Sequence, residues 1–212
     1  MGWVTKLPQV LPRGTQFVHG LRGACTLYAL AAADVVAKGH RAWVLDPYTP
    51  CPDAGSPENM AEITYRIYKE CRKYNQCGAS GSANQWDMLQ EAARLDLFVA
   101  DVLPFADPMP DALWIDFLHK YIAQADIPLP VLMQVSNGRA LKDAESGSAD
   151  EPSLQYHAFT LFGTKTDPSD VSKGGYVGTD GDNRASAQGC IIYNRATLMA
   201  AKPVSAIAFQ RR

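Results

Sequence analysis

A thiol and an imidazole stand out first, because each lies in local sequence that suits a reactive role. Cys25 follows Gly23-Ala24 and opens an alanine-rich stretch, while His157 leads into the apolar run Ala158-Phe159-Thr160-Leu161-Phe162. A thiolate attacks carbonyl carbon readily, and an imidazole beside it can take the thiol proton and later deliver it to a leaving group. The other cysteines, at 51, 71, 77 and 190, have no CxxC spacing, so neither a zinc knuckle nor a regular disulfide framework is indicated. A Cys71 to Cys77 bridge is a minor alternative, and most of these thiols read as small buried hydrophobes. His40 and His119 have no supporting neighbours and read as surface or structural residues. No metal or cofactor is expected.

The elements that would position the pair can be read from periodicity. Leu27, Tyr28, Leu30, Ala31, Val35 and Val36 recur with helical spacing until Lys38-Gly39, which acts as a stop. Cys25 therefore falls in the first turn of a buried helix. Unpaired N–H groups and the positive end of the helix dipole favour an anion there, which lowers a thiol's pKa. Gly23-Ala24 would permit close approach of chain and substrate. The competing reading is a core thiol in an alanine-rich helix.

Further helices are predicted over Glu58 to Cys71, Gln85 to Leu95 and Pro110 to Ala125. Trp86, Leu89, Ala92 and Ala93 are the expected inner face of the second of these. From Pro130 the pattern becomes extended, with strands predicted at Val131 to Val135, Tyr156 to Gly163, Gly175 to Thr179, Gly189 to Tyr193 and Val204 to Phe209. The polar loop Gly138 to Pro152 carries Asp143, Glu145, Asp150 and Glu151, and is expected to overhang the site and favour a cationic substrate. A helical front and a β-rich back predict an α+β fold in one domain, 1–212, with a helical lobe at about 20–125 and a β-rich lobe at about 130–212.

Gly23-Ala24-Cys25, His157-Ala158 followed by Gly163, and the glycine-led Gly189-Cys190-Ile191-Ile192-Tyr193 together resemble the papain-like fold, including the broader group of C39-like peptidases. The resemblance implies a nucleophile helix packed on an antiparallel sheet, and a cysteine peptidase or amidase working through a thioester acyl-enzyme. It places an Asn or Asp near Tyr176 to Asn183 as the third member, to orient His157. Asp180 is preferred, with Asp182 and Asn183 as alternatives; a turn using these side chains for backbone hydrogen bonds is the competing reading.

For the oxyanion hole the resemblance calls for a glutamine six positions before the nucleophile. That position holds His19, and Gln16 lies three residues earlier, so both are candidates. Arg22 and Thr26 replace the residues that flank the nucleophile in the papain subgroup, which points to a divergent bacterial or phage branch. The alternative function is a non-catalytic papain-like module used for binding or assembly, such as a phage structural or accessory protein.

Composition narrows the partners. The 212 residues are 47% apolar and 20% charged with a formal net charge of -2, and the pI is near 6.1. No basic field favours nucleic acid or an anionic membrane. The first residues lack the apolar core of a secretory signal, and no run is long and apolar enough to span a bilayer. The expected location at synthesis is cytoplasmic, with release in a phage particle, by lysis or by a signal-less secretion machine. Expected substrates are a peptide, a protein or peptidoglycan peptides, with an assembly or immunity partner as a further option.

Overall fold

The alanine run of the N-terminal third forms a helix, α1 (Cys25–Lys38), in which every residue from Thr26 to Ala37 is buried. Apolar or small side chains on all sides make such a helix a central element rather than a surface one. These features belong to a computed structural model that describes residues 6–15, 19–39, 53–144, 147, 155–165, 174–181 and 190–210.

Two amphipathic helices cover one flank of α1. In α2 (Pro57–Lys73) Pro57 occupies the first turn and Ser56 Oγ accepts a hydrogen bond from Asn59 N at 3.2 Å, both strong start signals. Its Met60, Ile63, Ile67 and Cys71 join the core around α1, as do Met88 and Ala92 of α3 (Gln85–Arg94).

The sheet has six strands: β1 (Phe98–Leu103), β2 (Val131–Val135), β3 (His157–Lys165), β4 (Gly175–Thr179), β5 (Ile191–Tyr193) and β6 (Pro203–Gln210). Their order is β1-β6-β2-β3-β4-β5 and every neighbouring pair is antiparallel. Alternation along the strands divides the core. Leu132, Ala158, Ile207 and Phe209 pack with α1, whereas Val131, Met133, Val135, Phe159 and Leu161 pack on the opposite side. That second side is covered by α4 (Asp111–Leu118), the π-helical turn His119–Ala123 that continues it, and α5 (Arg195–Ala201). With helices on both faces, the central strands are buried throughout, which is why β3 reads as a continuous apolar run rather than an alternating one.

The α+β class expected from sequence holds, with five α-helices and an open antiparallel sheet among the described residues. Two elements depart from the reading. β1 comes from the segment assigned to the helical lobe, yet pairs with β6 at the sheet edge, so helices and sheet do not divide cleanly at residue 130. Trp86 is 67% exposed rather than inward; Met88, Glu91 and Ala92 form the buried face of α3. No helix among the described residues is long and apolar enough to cross a membrane.

Buried polar ties fix α1 against the sheet. Thr160 Oγ1 of β3 donates to the Ala29 carbonyl at 2.6 Å, and Tyr28 Oη lies 3.2 Å from Thr179 Oγ1 at the end of β4. Because buried polar groups are costly to leave unpaired, these bonds select one placement of the helix and hence of Cys25 relative to β3 and β4.

Candidate active site

The start of α1 is arranged unlike a capped helix. Ala24 occupies the N-cap and makes no side-chain hydrogen bond, and no acidic residue lies in the first turn. Cys25 is the first helical residue, where N–H groups lack intrahelical partners. The approach is held by the 75–83 loop: Gly23 N donates to Ser80 O at 2.9 Å, and Thr26 Oγ1 donates to Ala83 O at 3.2 Å. A Cβ on Gly23 would come within 3.1 Å of Ser80 Oγ, so the close approach expected of this glycine is made against the chain itself.

His157 is the first residue of β3, and Asp180 immediately follows β4, its antiparallel neighbour. Their side chains are fully buried and joined by a 2.6 Å contact between His157 Nε2 and Asp180 Oδ1. The other carboxylate oxygen accepts from Tyr193 Oη at 2.7 Å. With Nε2 committed to Asp180, Nδ1 is the imidazole nitrogen left to serve Cys25.

The electrostatics follow from these contacts. Burial alone would lower the pKa of His157, but the Asp180 charge and hydrogen bond, aided by Cys25, reverse this and carry it well above the ordinary imidazole value. Burial likewise pushes the Cys25 thiol up. Hydrogen bonding and charge from His157 outweigh it, together with the Thr26 hydroxyl and the Ala158 backbone, and leave the thiol below its ordinary value. The two shifts favour thiolate and imidazolium side by side. The other described thiols go the opposite way: burial raises Cys71 and Cys77 and pushes Cys190 up to about 11. Cys71 and Cys77 are buried free thiols.

Cys25 and His157 open onto a cleft of about 600 Å³. Gln85 and Gln134 also line it. Gln85 Nε2 donates to Leu103 O at 2.8 Å, and Ser205 Oγ donates to Gln134 Oε1 at 2.6 Å.

Of the residues singled out in the sequence, Cys25, His157 and Asp180 come together. His19 does not join them: it is exposed, its ring centroid lies 4.1 Å from that of Tyr65 on α2, and it is not part of the cleft wall. Gln16, Asp182 and Asn183 lie outside the described residues. Asp143 does not overhang the site; it is 5% exposed and Oδ1 accepts from Ile192 N at 2.7 Å, stapling its loop to β5. Glu145, Asp150 and Glu151 also lie outside the described residues. The sequence reading missed Tyr193, taken only as a strand residue, and Trp86, which stands on the cleft wall.

Among the described residues no group of three or more His, Cys, Asp or Glu side chains is placed to hold a metal ion. Fold and site together define an α+β protein with a thiol, an imidazole and a carboxylate in series beside an open cleft. No protein-family model and no curated protein matches the chain.

Proposed function

We propose that the protein is a papain-like cysteine peptidase or amidase that hydrolyses a peptide or amide bond through a thioester acyl-enzyme. The observation that carries the reading is geometric: Cys25 at the start of α1 shares one cleft wall with His157, which Asp180 holds at 2.6 Å, and the directions of the two pKa shifts agree with it. Structural ion pairs also perturb pKa values, but a perturbed nucleophile and base opening onto a cleft is the arrangement that chemistry requires.

In the proposed cycle the Cys25 thiolate forms a bond to the substrate carbonyl carbon, and the carbonyl π electrons move to oxygen. The Cys25 backbone N–H and the Gln134 side-chain amide are the candidate donors to that oxyanion. As the tetrahedral intermediate collapses, the C–N bond breaks and imidazolium His157 protonates the departing amine. Neutral His157 then takes a proton from water, hydroxide adds to the thioester, and the acid leaves as the thiolate is regenerated. Asp180 holds the imidazole in one orientation and stabilises its cationic form throughout. Peptidoglycan peptides and protein partners are the substrate classes carried forward from the family resemblance.

His19 facing Tyr65 instead of the cleft is the observation that favours the second reading, a non-catalytic papain-like binding or assembly module. Iodoacetamide labelling between pH 5 and 9, with the labelled residue identified by mass spectrometry, separates the two. The hydrolase reading expects selective modification of Cys25 near pH 6 that is lost in His157→Ala. Labelling no faster than that of an ordinary thiol in the folded protein would sink it.

A further inference from the structure

Three of the exposed large hydrophobic side chains converge on the reactive cleft. Trp86, Phe105 and Tyr156 are 67%, 56% and 59% exposed, and all three line the cavity that holds Cys25 and His157. They come from three separate parts of the chain: the first turn of α3, the segment after β1, and the residue before β3. Exposed aromatic surface gathered around a concave site marks a place where apolar surface is removed from water on binding.

One of the three is held by its own hydrogen bond, and a second stands on a helix start that is tied to the sheet. Gln85, next to Trp86, donates to the carbonyls of Leu103 in β1 and Ala206 in β6, which ties the start of α3 to the sheet. Tyr156 Oη donates to Asp107 Oδ2 at 3.1 Å. Anchoring of this kind reduces the ordering cost of binding. Among the described residues, Arg22 and His157 line the cleft and no Asp or Glu does.

Resting on the hydrolase reading above, we propose that this wall is the substrate-selecting subsite, and that the preferred substrate carries a bulky aromatic or branched aliphatic side chain next to the scissile carbonyl. A cationic side chain at that position is disfavoured: the described wall holds no carboxylate to pair with it, and burial against the aromatic rings would strip its water.

The test compares acyloxymethyl ketones built on N-acetylated Phe, Leu, Gly, Lys and Asp, each of which alkylates a thiol next to its own side chain. Second-order rates of Cys25 modification are measured by mass spectrometry and divided by the iodoacetamide rate on the same protein, which reports the thiol without side-chain recognition. The expected ratios for Phe and Leu exceed those for Gly by about tenfold and those for Lys by more. Trp86→Ala is expected to bring the Phe ratio within about threefold of the Gly ratio. Phe105→Ala is the second variant, and circular dichroism establishes that both are folded. Equal ratios for Phe and Gly in the wild type, a Lys preference, or a Phe preference that survives both substitutions overturns the subsite. Slow iodoacetamide labelling with a Trp86-dependent Phe preference supports apolar recognition and removes the hydrolase reading alone.

Discussion

Two helix starts line the same cleft and are built in opposite ways. At α3 the first turn is closed: Asn84 Oδ1 accepts from Asp87 N at 3.0 Å, and Asp87 Oδ2 accepts from Asn84 N at 2.9 Å. This reciprocal box satisfies two donors and sets an acid against the positive end of the helix dipole. At α1 the N-cap is Ala24, there is no side-chain cap and no first-turn acid. On the proposed reading, the missing negative charge at α1 is supplied by Cys25, whose thiol is held below its ordinary value. One helix start spends its donors on local stability, and the other leaves them uncapped beside the thiol that the proposed chemistry would use.

That contrast breaks most completely when the anion is removed. Cys25→Ala leaves α1 with neither cap nor thiolate, and hydrolysis of any amide or ester substrate is expected to fall on the order of 10⁴-fold or more, because the covalent route is gone. His157→Ala keeps the sulfur but removes the partner that holds it ionised, so the thiol returns toward or above its ordinary range and alkylation near pH 6 falls by roughly ten- to a hundredfold. The pH profile fixes the sign. Reactivity of the ion pair is lost as pH falls through the lowered thiol pKa, and its imidazolium is lost as pH rises through the raised His157 pKa. In hydrolysis a plateau between these two edges is expected in the wild type, with its acid edge below the ordinary thiol value and its alkaline edge above the ordinary imidazole value. A single rise centred on the ordinary thiol value would remove the distinction between the two helix starts.

A smaller effect comes from the groups behind His157. Asp180→Asn removes the charge that offsets burial of the imidazole, so the alkaline edge of the plateau moves to lower pH. Tyr193→Phe keeps the carboxylate but deletes its 2.7 Å donor. A hydrogen bond to a charged group contributes about 1.5–3 kcal/mol, and only part of that reaches the imidazole through Asp180. With its donor gone the Asp180 charge is less shared and more fully felt by the imidazole, so the alkaline edge is expected to move slightly upward, with a loss of rate of about tenfold or less at neutral pH from the less firmly held carboxylate. A general loss of rate at every pH with no movement of the edge would identify Tyr193 as a packing residue instead.

The same contrast explains what the sequence disclosed. The first-turn position of Cys25 was legible because small residues precede it and a long apolar helix follows, and His157 because it heads an apolar strand. Asp180 followed from the family resemblance, which puts an Asn or Asp at that strand end. Tyr193 was not legible: its role depends on the register of β4 with β5, which sets Tyr176 opposite Tyr193 and Gly178 opposite Ile191, and no local pattern specifies a pairing between chain segments.

Trp86 was misplaced for a different reason. The true buried face of α3 includes Glu91, 1% exposed and ion-paired with Arg94, so the charged residue hid the phase of the helix. β1 escaped notice because an edge strand with no fully buried residue lacks the apolar alternation that marks a half-buried one. His19 was chosen by its distance from Cys25 along the chain, which fixes no direction. A left-handed backbone at φ 50 is found there, and the ring stacks on α2.

The smallest prediction tests the closed helix start. Asp87→Ala removes one half of the α3 capping box, leaving Asn84 N without its carboxylate and the first turn without its acid. Loss of such a cap costs about 0.5–1 kcal/mol in stability, which thermal unfolding would register as a drop of a few degrees in Tm for a domain of this size. Asp87 lies outside the wall of the reactive cleft, and no contact joins it to Cys25 or His157. Alkylation of Cys25 near pH 6 is accordingly expected to stay within about twofold of the wild type, since the bonds of the cap run between Asn84 and Asp87 and not to the sulfur. If Asp87→Ala instead changed the alkylation rate as strongly as His157→Ala, the two helix starts would be one coupled electrostatic unit. The assignment of stability to α3 and reactivity to α1 would then fail.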